Sequence, residues 1–155
     1  MKKIIVLTSL LMTACTQLYF AQAYSPPESL PQSATKAFGH PKDEVFMAAT
    51  RALVADGYKI THSDAVIGII STAPRDLHLT PDQADCGSLS GKTLLLDNKT
   101  ATKLAMNVII GFHKLEVKST IEGVYKPANE AVTLSCMSKG VLEQEMVQKI
   151  KAQIR

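Results

Sequence analysis

A period-two alternation in the second half of the chain sets the tightest limit on its fold. Leu115, Val117, Ile121 and Tyr125 are apolar, and Glu116, Lys118, Thr120, Glu122 and Lys126 fall between or beside them. Only an extended strand turns successive side chains to opposite faces, so this stretch predicts a strand with one buried and one wet face. Such strands belong to antiparallel sheets covered on a single side. The wet face mixes Lys114, Lys118 and Lys126 with Glu116 and Glu122, a pattern that favours solvation over binding of a polyanion.

The flanking patterns supply the rest of the domain. Phe46, Ala49 and Leu53, with Val45 and Ala52 beside them, recur at helical spacing and predict a helix over residues 41–56. Pro41 suits its first turn, Asp43 and Glu44 suit the positive end of its dipole, and Gly57 suits a left-handed stop. Residues 58–62 and 66–72 read as two strands about a turn at Ser63 and Asp64, with Gly68 marking a bulge or a close crossing. Residues 93–96 and 103–110 read as further strands, the first ending at the Asp97-Asn98-Lys99 turn, and residues 131–136 as another. Leu142, Met146, Ile150 and Ile154 repeat every four residues, so residues 140–154 form a second helix with Ser138 as its N-cap. Strands in succession between two helices give an α+β class: an antiparallel sheet of about four to six strands, flanked by an N-terminal and a C-terminal helix, over residues 41–155.

Residues 73–92 are rich in Pro, Asp, Gly and Ser and read as a long loop, of the kind that is functional or tied down. Cys86 lies in it. With Cys136 it forms the one cysteine pair of the domain, and an exported chain would oxidise the pair to a disulfide. Asp76, His78, Asp82 and Asp85 are the loop's chemistry-bearing side chains and its candidate contact residues. Their spacing matches neither a zinc site nor an EF-hand, so no metal or other cofactor is expected. The run from Gly87 to Thr93 ends like a phosphate-binding loop, but that motif requires glycine at position 86, where Cys86 stands. Ser88 and Ser90 do not form a nucleophile elbow. His40, His62 and His113 are isolated, and Met106, Met137 and Met146 read as core fillers. No catalytic constellation emerges.

The N-terminus is an address. Lys2 and Lys3 precede an apolar run from Ile4 to Met12, too short to cross a bilayer and typical of a signal peptide. The sequence Leu11-Met12-Thr13-Ala14-Cys15 resembles the lipobox of bacterial lipoproteins, with Met12 where leucine is usual. The resemblance implies removal of residues 1–14 and a lipid-modified Cys15. Because Thr16 and not aspartate follows, it also implies the periplasmic face of the outer membrane. Ala21-Gln22-Ala23 offers an alternative cut that would release a soluble periplasmic or secreted protein. Pro26, Pro27 and Pro31 mark residues 15–40 as a flexible tether. The net charge of +3 falls by two once Lys2 and Lys3 leave with the signal, and aromatics make up 5% of the chain with no Trp. A nucleic-acid partner is therefore not expected. The opening pattern of helix, Gly57, Tyr58 and paired strands is similar to small domains of envelope assembly lipoproteins, including the third lipoprotein of the β-barrel assembly machinery. The expectation is a non-catalytic, lipid-anchored binding or scaffolding module with an envelope protein as partner. The alternatives are a soluble inhibitor or small-ligand binder, and an envelope hydrolase using His78 with Asp76 or Asp85.

Overall fold

The computed structural model describes residues 23–128 and 130–154. In chain order the elements are β1 (Tyr24–Ser25), β2 (Ser33–Ala37), α1 (Lys42–Ala55), β3 (Ile60–Asp64), β4 (Ile69–Thr72), β5 (Arg75–Asp76) and β6 (Ala84–Asp85). There follow β7 (Ser88–Leu89), β8 (Lys92–Thr93), a 3-10 turn (Leu94–Leu96), β9 (Thr100–Ile110), β10 (Lys114–Tyr125), β11 (Val132–Ser135), β12 (Met137–Ser138) and α2 (Val141–Gln153). The class is α+β, with both helices packed on one face of a mainly antiparallel sheet.

The β9–β10 hairpin is the spine of that sheet, in register from Leu115 opposite Ile110 to Tyr125 opposite Thr100. The alternation acts as anticipated. Leu115, Val117, Ile121 and Tyr125 are buried beside Leu104, Met106 and Val108 of β9, while Lys118, Thr120 and Glu122 lie in water. The path of five strands runs β11-β10-β9-β4-β3, and β2 and β5 join it to make seven. β2 and β11 share one edge of β10: β2 pairs with residues 114–118 and β11 with residues 122–125. Residues 33–37, inside the stretch whose composition marks it as tether, are thus part of the sheet. Ala34 is buried there opposite Val117, filling an edge that β10 would otherwise leave open.

Several local details differ from the patterns that announced them. Pro41 occupies the N-cap position of α1 rather than its first turn. At the other end Gly57, at φ +82°, closes the helix: its amide returns to Val54 O (3.0 Å) and that of Tyr58 to Leu53 O (2.9 Å). β3 runs on through Asp64, and Val66 and Ile67 form the turn, because Asp64 Oδ1 accepts both of their amides and bends the chain. Leu94, Leu95 and Leu96 form a 3-10 turn, not a strand, and Leu94 and Leu95 are buried. At α2 the N-cap position belongs to Gly140, not Ser138. The Ser138 hydroxyl instead accepts the Gly140 amide (3.1 Å) and donates to Glu143 (2.7 Å). Glu143 is wholly buried, and Ser119 of β10 donates to its other oxygen.

Candidate functional site

Residues 73–93 are not an open loop. β5 pairs with β9, Arg75 opposite Leu104 and Asp76 opposite Lys103, and the Leu77 amide continues that ladder to Thr102 O (3.1 Å). Leu79 is buried, and β6 pairs with β12. β7 and β8 form a hairpin whose two turn residues, Ser90 and Gly91, both have positive φ, the twist that a two-residue turn needs. The glycines and serines that look like a phosphate loop therefore serve a tight hairpin.

A disulfide joins Cys86 to Cys136, 50 positions apart in the chain, with Cα atoms 4.1 Å apart. Cys86 is fully buried and Cys136 half-buried. The strand beneath is relieved at Gly123, where a Cβ would lie 2.6 Å from Cys136 Sγ. The disulfide thereby fastens β6 and its neighbours to the edge of the sheet formed by β10 and β11.

The N-terminal segment is strapped onto this loop. β1 pairs with β7, Tyr24 opposite Leu89, and the Ser90 amide donates to Ala23 O (3.0 Å). The Tyr24 hydroxyl donates to Cys86 O (3.3 Å), and burial is the larger of two causes that raise its pKa, the other being the Asp85 charge. Asp85 holds the next residues: it accepts the Gly87 amide (2.8 Å), the Ser29 hydroxyl (2.9 Å) and the Glu28 amide (3.2 Å). Partial burial pushes the Asp85 carboxyl up, but these hydrogen bonds outweigh it and hold the group below its usual 3.8.

The four candidate contact residues therefore separate. Asp76, His78 and Asp82 are exposed, whereas both oxygens of Asp85 are engaged in the strap. Among the described residues no three His, Cys, Asp or Glu side chains converge to hold a metal ion. Cys15 and both candidate cleavage sites lie outside the described residues, apart from Ala23.

Arg75 has a role that no local pattern announced. Its Nη1 donates to Asp56 O (2.8 Å), its guanidinium lies 4.1 Å over the Tyr58 ring, and Lys149 of α2 reaches Asp56 Oδ1 (2.6 Å). Burial raises the Tyr58 pKa, opposed by the Arg75 hydrogen bond. Arg75 thus ties β5 to the end of α1, and Asp56 ties that end to α2. On the open face of the sheet Glu116 bonds Lys118 (3.1 Å), which lowers the carboxyl's pKa, and Lys114 stands 3.9 Å away.

No family model matches the chain, and no curated protein matches it. Among solved structures, it is similar to a DUF4468 family protein from Bacteroides ovatus: 13% identity and a TM-score of 0.46, over 76% of this chain and 68% of that one. It is also similar to a TBP-like protein from Parabacteroides distasonis: 17% identity and a TM-score of 0.42, over 66% of this chain and 64% of that one. The chain therefore spans about two thirds of the length of each.

Proposed function

We propose that the chain is a non-catalytic binding or scaffolding module of the bacterial cell envelope, held by lipid on Cys15 at the periplasmic face of the outer membrane. The observation that supports this reading is the strap. Residues 24–29 are fixed to a loop that a disulfide secures, so the stretch from Cys15 joins the folded body at one defined place. A fixed joint limits how far an anchored domain can stand from its lipid to the reach of the few residues between them. A disulfide also suits a compartment beyond the reducing cytoplasm. The partner is an envelope protein, met by the exposed side chains of Asp76, His78 and Asp82 and by the outer edge of β3, which pairs with no strand among the described residues.

Metabolic labelling with palmitate tests the anchor. The wild-type chain is expected to incorporate label and a Cys15→Ala variant none. An unlabelled wild type found soluble in the periplasm would replace the anchor with a cut after Ala23. For the partner, a photo-crosslinking residue at position 78 or 82 is expected to capture one envelope protein. Equal capture from position 96, on the 3-10 turn, would remove the loop as the contact surface.

A further inference from the structure

Two turns project side by side from the end of the sheet where α1 begins. Ile69 of β4 pairs with Ile109 of β9, and one step further the Ile110 amide donates to the Gly68 carbonyl (2.7 Å). The β3–β4 turn at residues 65–68 therefore lies beside the β9–β10 turn at residues 111–113. On these tips Val66 is 88% exposed, Ile67 57% and Phe112 83%. Turns ordinarily carry glycine and polar residues. Single exposed apolar residues need no explanation, but three large ones on adjacent tips form a patch that does.

Four amides of these tips, those of Val66, Ile67, Gly68 and Gly111, are bonded locally. Asp64 Oδ1 accepts the Val66 and Ile67 amides (2.8 and 3.0 Å), and Asp64 O accepts the Gly68 amide (2.8 Å). The Lys42 ammonium donates to Val66 O (2.7 Å), and the Gly111 amide to Lys114 O (2.7 Å). Amides bonded in this way can leave water without being stranded, and a tip that enters only the interfacial layer keeps headgroups and water within reach of the others, at Phe112 and His113. A convex apolar projection also fits a medium that deforms around it, while a protein partner would need a matching pocket. Lys36, Lys42 and Lys114 stand at the base, on β2, on α1 and just after the Phe112 turn. The acids at this end are occupied locally or face aside. Asp64 is held by the turn amides, Glu44 faces His40 (3.3 Å), Glu116 bonds Lys118 (3.1 Å) and stands 3.9 Å from Lys114, and Asp43 lines a groove with Arg51 and Gln153.

We infer that this end of the molecule inserts into an anionic phospholipid bilayer, Val66, Ile67 and Phe112 entering the interfacial layer and the three lysines meeting headgroup phosphates. The edge is separate from the lipid proposed on Cys15. The strapped N-terminal segment lies toward the opposite end, where Leu94 bonds both Gly87 and Thr100, and Thr100 faces Tyr125 at the far end of β10.

The chain has no Trp, so a single introduced Trp reports on its own surroundings. The full chain carrying Phe112→Trp is mixed with vesicles of phosphatidylethanolamine and phosphatidylglycerol, with and without brominated acyl chains. The expected result is a blue-shifted emission that brominated lipid quenches, weaker with phosphatidylcholine alone. Leu96→Trp, exposed toward the other end, is expected to stay unquenched. Adding Val66→Ser and Ile67→Ser to Phe112→Trp is expected to weaken partitioning about tenfold or more, with an unchanged circular dichroism spectrum. Silence of Phe112→Trp on every vesicle would overturn the inference and assign the patch to a protein contact. Equal quenching at positions 96 and 112, or a signal indifferent to the serine substitutions, would overturn it as well. Loss of the Cys15 anchor would leave the Phe112→Trp signal in place, so the two readings fail separately.

Discussion

Gly123 passes beneath the disulfide with no room for a methyl group: a Cβ there would meet Cys136 Sγ at 2.6 Å and Leu134 Cβ at 3.1 Å. Both neighbours belong to the partner strand or the cross-link, and neither is the free end of a flexible side chain. Gly123→Ala is therefore expected to cost about 1–3 kcal/mol by overpacking. The measurement is the midpoint of urea denaturation of the oxidised protein, and an unmoved midpoint would mean that the strands part freely. At this scale the sequence is legible where one pattern governs and opaque where two must meet. Ser119 falls on the buried face of β10, and Glu143 on the buried face of α2. Each looks like a flaw in its own apolar period. Each satisfies the other, 24 residues away, and no local window contains both. Arg75, in a stretch rich in polar residues, reads as solvated for the same reason: Tyr58 and Asp56, which it covers, lie on another element.

Among the elements, the strap depends most on a single ionised group. Asp85 holds Glu28, Ser29 and Gly87, and its folded carboxyl titrates below the 3.8 of the free group. A depressed carboxyl contributes fully above its unfolded pKa and loses that contribution as pH falls through the lower folded value. Amide exchange at Glu28 and Gly87 is thus expected to stay slow near neutrality and to quicken, relative to its intrinsic rate, only as pH drops below 3.8. In Asp85→Asn the same amides are expected to be less protected throughout and to show no such step. A step preserved in the variant would place the titration elsewhere. The short strands β5 to β8 were not legible because two-residue strands carry no period, and their partners lie far off in the chain. Val66 and Ile67 look like strand because β-branched residues favour extension, whereas the Asp64 side chain offers their amides a competing partner.

Across the whole molecule, the α+β class and the two helices were legible because their stripes and alternations are long, and long patterns survive tertiary context. β2 was not, since only Ala34 of its five residues is buried and the rest resemble a linker. The disulfide was anticipated from export and cysteine parity, and it closes 50 residues of chain. By chain entropy it is worth about 4 kcal/mol. Treatment with a dithiol is accordingly expected to lower the denaturation midpoint by a matching amount while the circular dichroism of sheet and helices persists. Equal midpoints would mean that the reduced, unfolded chain is already restrained there.

The docking of β2 along β10 has a consequence in time. Ser33 meets Lys118 and Ala37 meets Lys114, a pairing that bridges about 80 residues and waits on closure of that whole span. A chain threaded across a membrane from its N-terminus delivers β2 early and β10 late. Until the second hairpin strand emerges, β2 has no edge to settle on, and on the proposal that Cys15 is lipidated this leaves the new N-terminus open to the enzymes that acylate and trim it. Maturation of that end would then run on a clock set by translocation, closing when β10 arrives.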